Sequence, residues 1–285
     1  MRVLAPAKVN IFLRIVGRRN DGYHLLDSLM VPVSLFDEIL IDVRSGALDI
    51  VVTCNDPTVP ADETNLAYKA AALLCRESNT QGKISIALHK RIPAGAGLGG
   101  GSSDAAAVLK SLNTLLSVKL SDDRLCALGA RLGADVPFFI PCCPAKVEGI
   151  GEILTAVPPL PACWLVIVVP PFGVSTPWAY RRFDDLPPSE TLRSQGVSCW
   201  PAPEPLVNDL ERAVIPAHPQ IGKIKDALLR RGAEGAVMSG SGSAVFGIFR
   251  SRVIAEQAAA LLAGEGKTFL AEPLAGPDTQ ERADE

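Results

Sequence analysis

From Ile92 to Ser103 the chain reads Ile-Pro-Ala-Gly-Ala-Gly-Leu-Gly-Gly-Gly-Ser-Ser, with five glycines in the seven positions 95 to 101. Neither a regular helix nor a strand survives so much glycine, because each one adds backbone freedom that an ordered element must remove. Upstream, 83–89 alternates as a strand does, and downstream Ala106, Leu109, Leu112 and Leu116 recur at helical spacing, so a helix is expected from 102 to about 117. The unit is strand, glycine loop, helix. Glycines let backbone N–H groups close on an anion, and a helix start adds unpaired donors and the positive end of its dipole. Residues Pro93, Ala94, Gly95, Ala96, Gly97, Leu98, Gly99, Gly100, Gly101, Ser102 and Ser103 therefore read as a phosphate cradle.

Gly95-x-Gly97-x-x-Gly100 also fits a dinucleotide fingerprint in form. That motif requires an acidic residue ~20 positions later at the end of a strand, whereas Asp122 and Asp123 follow Ser121 at what reads as a helix start. No Gly-Lys-Ser or Gly-Lys-Thr occurs, which excludes a Walker loop.

The 28 basic and 31 acidic residues leave a net charge of −3, the wrong balance for gripping nucleic acid through its phosphates. Seven cysteines without a C-x-x-C pair, beside three histidines, form no zinc framework and fit buried thiols in a reducing cytoplasm. Lys8 and Arg14 interrupt the apolar N-terminal stretch that a secretory signal would need, so a cytoplasmic location is expected. The uncharged stretch 153–180 is long enough to span a bilayer but carries six prolines; 162–169 reads instead as a buried strand, and no membrane partner is expected.

Strands are expected at 9–16, 25–35, 38–43, 48–54 and 83–89, with a helix at 64–76 capped by Thr64 and another at 122–132 capped by Ser121. Beyond a proline-rich joint at 157–161 come a strand at 164–169, helices near 177–183 and 220–231, strands at 235–238 and 244–249, and a helix at 253–262. The pattern is α+β, with domains at 1–155 and 162–271, an irregular mobile loop at 184–205, and a flexible tail at 272–285.

Three motifs in order carry a family resemblance. Ala5-Pro-Ala-Lys-Val-Asn10, the PAGAGLGGGSSDAA loop and Met238-Ser-Gly-Ser-Gly-Ser-Ala-Val-Phe246 resemble the first, second and third motifs of the GHMP kinase superfamily. The resemblance implies a ribosomal-protein-S5-domain-2-like N-terminal domain, a ferredoxin-like C-terminal domain, and ATP bound at the glycine loop. APAKVNIFLRIVGRRNDGYHLL, GADVPFF, GIGEIL and GVSTPWAY further resemble the branch that phosphorylates the 2-hydroxyl of a methylerythritol carrying a cytidine diphosphate, in non-mevalonate isoprenoid biosynthesis. A mevalonate- or homoserine-type kinase is the nearest alternative. The implied partner is a small molecule, with the protein a monomer or weak dimer.

Phosphoryl transfer to an alcohol needs held phosphates, charge neutralisation and an acceptor for the hydroxyl proton. By resemblance Asp135 is the base and Lys8 the cation beside it, while Asn10, two residues on and hence on the same strand face, reaches the substrate. Asn65, at the start of a helix, doubles as a cap and, by resemblance, as a contact to adenine. Tyr23 and Tyr180 would sandwich cytosine, with His24 reading its edge and Thr176 nearby. Magnesium would take a hydroxyl from Ser102 or Ser103, and the sequence does not choose between them.

Overall fold

The computed structural model describes residues 1–187 and 206–276. Two long strands, β1 (Arg2–Arg18) and β2 (His24–Arg44), pair antiparallel through a tight turn at 19–23 in which Gly22 adopts φ +92°. β3 (Asp49–Cys54) and β4 (Lys83–His89) extend that sheet in the order β3-β4-β2-β1, and β5 (Ala145–Gly149) and β6 (Ile153–Ala156) continue it beside the first half of β2. β7 (Trp164–Val169) belongs to a second sheet with β9 (Gly235–Met238), β10 (Val245–Phe249) and β11 (Lys267–Ala271), four antiparallel strands in the order β11-β7-β10-β9. Chain from the second half nevertheless returns to the first sheet, where β8 (Val207–Asn208) lies parallel to β1 at Phe12 and Leu13.

Four layers result. Helices α1 (Leu66–Ser78), α2 (Gly100–Leu115) and α3 (Asp122–Ala130) cover one face of the first sheet, burying Leu74, Leu109 and Leu128 against Ile39, Ile84 and Ile86. The other face, with Val9, Ile11, Val31 and Val33, packs on Leu165, Ile167, Phe246 and Ile248 of the second sheet, from β7 and β10. Behind that sheet lie α4 (Thr176–Asp184), α5 (Glu211–Ala217), α6 (Pro219–Arg230) and α7 (Arg252–Leu262), joined by β9 and closed by β11. Each fully buried aliphatic side chain in these layers contributes ~1.5 to 3 kcal/mol.

Several expectations change. Strands 25–35 and 38–43 are one strand: Asp37, in the gap between them, is wholly buried inside β2 because its carboxylate accepts from Arg91 N (2.6 Å), Ile92 N (2.9 Å) and Lys90 Nζ. Of the two caps read for α1, Asn65 rather than Thr64 does the capping, its Oδ1 accepting from Ala67 N at 2.8 Å while the Thr64 hydroxyl turns back to Asp62. α2 begins at Gly100, within the glycine run. The tail starts later than 272, since Leu274 N donates to Pro32 O and Glu272 N to Ser34 Oγ, both on β2. The loop at 184–205 falls mostly on 188–205, and the remaining tail on 277–285, outside the described residues. No described helix is long and apolar enough to cross a membrane, and the uncharged stretch 153–180 resolves into β6, β7 and part of α4.

Candidate active site

The glycine loop joins β4 to α2. β4 is antiparallel to β2 and parallel only to β3, and α2 leads into α3, so the loop does not open the β-α-β unit that a dinucleotide fingerprint requires. Gly95, Gly97 and Gly99 sit at φ +65°, +75° and +74°, where a side chain is strained, and Gly99 caps the helix with no side-chain bond of its own. The loop is gripped from both sides. Lys8 N donates to Leu98 O at 2.9 Å from β1, while Ser239 Oγ donates to Gly97 O and Ala244 N to Ala96 O, both at 3.0 Å, from the turn between β9 and β10. That turn is held in its own place by Asn208, whose Nδ2 donates to Met238 O (2.8 Å) and Gly240 O (2.7 Å).

These segments enclose a cavity of about 490 Å³, within the usual range for small-molecule sites. Residues 93–102 line it, with Lys8, Asn10, Asn65, Asp135, Thr176 and Tyr180. Of the two candidate hydroxyls, Ser102 faces this space, whereas Ser103 is 1% exposed, absent from the lining, and its Oγ has no hydrogen-bond partner. Asn65 reaches the wall with both polar ends committed, Oδ1 to the helix cap and Nδ2 to Pro60 O at 2.5 Å.

On the cavity floor, β1 alternates. Val9 and Ile11 enter the core between the sheets, so Lys8 and Asn10 face the opposite way. Lys8 is 3% exposed, with Nζ 2.6 Å from Asn10 Oδ1 and 3.9 Å from Asp135 Oδ2. Burial lowers the Lys8 pKa below its ordinary value, and the Asp135 carboxylate opposes that shift. Asp135 itself rides on the turn after α3, pinned by buried Val136, with its side chain about a third exposed. Burial, and then the nearby Asp135 charge, raise the Tyr180 phenol.

Tyr23 does not meet Tyr180. It is 60% exposed and off the cavity wall, because it precedes the first residue of β2 and consecutive extended residues face opposite sides. His24 takes that neighbourhood instead, stacked on Tyr180 with ring centroids 4.8 Å apart. Its Nε2 lies 2.6 Å from Asp184 Oδ1, and Asp184 also pairs with Arg18 at 3.3 Å. His24 does not line the cavity. Thr176, at the start of α4, places its hydroxyl 2.7 Å from Ser241 Oγ of the β9–β10 turn.

Sequence reasoning missed a charged cluster beneath the loop. Lys90 Nζ bridges Asp37 and Asp104 Oδ2 (2.5 Å for the latter), and Lys90 and Asp104 both line the cavity. Burial pulls the Lys90 ammonium down, but Asp104 and Asp37 outweigh it and hold its pKa above the ordinary value; burial raises the Asp104 carboxyl against the pull of Lys90. The legible signal was Asp104 itself, an acid one turn into a helix and followed by three alanines, a setting in which a buried carboxylate demands a cation beside it. Replacing Lys90 with Met leaves two buried carboxylates facing each other and is expected to cost ~3 to 5 kcal/mol in urea unfolding. That loss should shrink as pH falls, because a proton can then take the ammonium's place.

The GHMP kinases N terminal domain family matches residues 65–141, and the GHMP kinases C terminal family matches 198–267. The chain is 46% identical over 265 residues to the 4-diphosphocytidyl-2-C-methyl-D-erythritol kinase of Citrifermentans bemidjiense, covering 92% of this chain and 94% of that one. It is 47% identical over 266 residues to the enzyme of the same name from Pelobacter propionicus, again covering 92% and 94%. A solved 4-(cytidine 5'-diphospho)-2C-methyl-D-erythritol kinase superposes with a TM-score of 0.81 at 36% identity, over 96% of this chain and 99% of that one. A homoserine kinase from Cytophaga hutchinsonii, at 20% identity and a TM-score of 0.71, shares the fold. Glycine cradle, buried lysine and facing carboxylate thus sit on a chain that belongs to the 4-diphosphocytidyl-2-C-methyl-D-erythritol kinases of the GHMP kinase superfamily.

Proposed function

We propose that this chain transfers the γ-phosphoryl group of ATP to the 2-hydroxyl of 4-(cytidine 5'-diphospho)-2-C-methyl-D-erythritol. The observation that carries the reading is the buried Lys8 ammonium, 3.9 Å from Asp135, on the floor of a glycine-lined cavity. Asp135 accepts the hydroxyl proton as attack begins, and Lys8 offsets charge on the attacking oxygen and the transferring group. The backbone of 95–101 and the N-terminus of α2 hold the nucleotide phosphates. Asn10 and Thr176 are the substrate's polar contacts, and every group named comes from one chain, so a monomer suffices.

Among the described residues no three His, Cys, Asp or Glu side chains converge on a point. Magnesium keeps its waters and takes phosphate oxygens, so few protein ligands are needed to hold it. Ser102, facing the cavity, would hold it, and the ion would neutralise phosphate charge when bound.

One coupled ADP-release assay across cytidine-diphospho-methylerythritol, mevalonate and homoserine tests the reading; turnover of either of the last two in preference to the first would overturn it. Tyr180 supplies the aromatic platform for the base. Stacking persists from ground to transition state, and a base on an aromatic is worth ~1 to 3 kcal/mol on alanine substitution. Tyr180→Ala should therefore raise the substrate Kd ~5- to 150-fold with a smaller change in kcat and no change in ATP affinity. Tyr23→Ala, at an exposed ring off the cavity, should do much less in the same titration.

A further inference from the structure

Behind Lys8 runs a hydrogen-bond chain whose direction is fixed by its far end. Ser28 Oγ, on β2, lies 2.6 Å from the carbonyl oxygen of Phe12 and 2.9 Å from Asn10 Nδ2; Asn10 Oδ1 lies 2.6 Å from Lys8 Nζ. A carbonyl can only accept, so Ser28 spends its single proton on Phe12 and can only accept from Asn10. Asn10 must then present its NH₂ to Ser28 and its carbonyl oxygen to Lys8. All three residues are at most 3% exposed. The anchoring carbonyl sits where β1 slips by one residue against β2, between Asn10 and Phe12, an irregularity that re-aims side chains beside a site.

We propose that Ser28 is a positioning residue: it anchors the far end of the Asn10 carboxamide, holding the amide oxygen in place toward Lys8, and thereby aims the Lys8 ammonium at the reacting oxygens. The inference rests on the phosphoryl-transfer reading above. Without the Ser28 oxygen, the Asn10 NH₂ loses its partner and the carboxamide is held only at its Lys8 end, where the ammonium still demands the oxygen. An amide fixed at one end can swing and carry the Lys8 ammonium with it, and displacements of ~1 Å at such groups cost up to ~10²-fold in rate.

Valine and threonine at position 28 have nearly the same shape and differ in the hydroxyl, so they separate hydrogen bonding from packing. Ser28→Val should lower kcat ~10- to 100-fold with the ATP KM within about twofold, while Ser28→Thr stays within about threefold of the unaltered protein. In ¹⁵N spectra the Asn10 carboxamide protons should resist solvent exchange in the unaltered and Ser28→Thr proteins and lose that protection in Ser28→Val. A Ser28→Val kcat near normal, or Ser28→Thr falling as far as Ser28→Val, overturns the proposal. Should Ser28→Val fail to fold, the unaltered protein still decides, because a freely exchanging Asn10 carboxamide there overturns it equally. Failure of the unaltered protein to phosphorylate the cytidine substrate would instead sink the functional reading and leave the amide result standing.

Discussion

Asp135→Asn and Lys8→Met are each expected to lower kcat ~10²- to 10⁴-fold, the usual worth of a positioned acid–base group, while ATP affinity changes little. Neither residue belongs to the glycine loop, and both converge on the floor of the cavity where the hydroxyl must lie. Turnover near normal in either variant, at saturating substrates, would remove it from the chemistry. The pH dependence follows from burial. Lys8 acts as a cation and its pKa is lowered, so kcat should fall on the alkaline side at a lower pH than an ordinary lysine would dictate. Asp135 opposes that lowering, so residual activity of Asp135→Asn should show its alkaline limb at lower pH still. An unmoved limb would mean that Lys8 is not the group that titrates there.

Gly97→Ala is expected to raise the ATP KM ~10- to 100-fold and to lower the melting temperature, and Gly95→Ala to do far less. Both glycines have positive φ, +75° and +65°, so the backbone strain of an added side chain is comparable, on the order of 1 to 2 kcal/mol. Their surroundings differ. A Cβ on Gly97 runs into the carbonyl oxygen of Ser239, while a Cβ on Gly95 meets nothing within 4 Å. The difference between the two variants therefore isolates the clash with the β9–β10 turn from the strain common to both. Equal behaviour in nucleotide titration and thermal melts would show that the loop does not depend on that turn.

Elements with an unbroken period were legible: β4, β7, β9, α3 and most of α1 lie close to where alternation or helical spacing puts them. β1 and β2 were read short because their alternation is interrupted, by slips after Pro6 and Asn10 and by a buried Asp37 that resembles a turn residue. β5 and β6 are brief strands around Gly149 and Gly151, too short to show a period. In the site, the loop stood out by its glycines, whereas Lys8, Asn10 and Asp135 were singled out by the family resemblance, since a charge in a strand and an aspartate in a turn have ordinary structural readings of their own. Lys90 did not stand out, since a lysine followed by an arginine reads as a solvated end of a strand until the fold brings Asp37 and Asp104 to it from 53 and 14 positions away. The positions of Tyr23 and His24 were not legible, because which of two neighbouring residues lies against Tyr180 depends on the turn at 19–23 that delivers them: His24 stacks on Tyr180 and Tyr23 stays exposed.

The bonds from Ser239 and Ala244 to the glycine loop also bear on when a newly made chain becomes competent. Ser239 lies 142 positions beyond Gly97, and Asp209, which accepts from Ile15 N, lies 194 positions beyond its partner. Synthesis delivers the N-terminal end first, so the strand, loop and helix of the cradle leave the ribosome long before the residues that brace them. A nascent chain stalled before position 239 carries every backbone donor of the glycine loop but lacks the turn that shapes it, so nucleotide capture is expected only once that turn has been made.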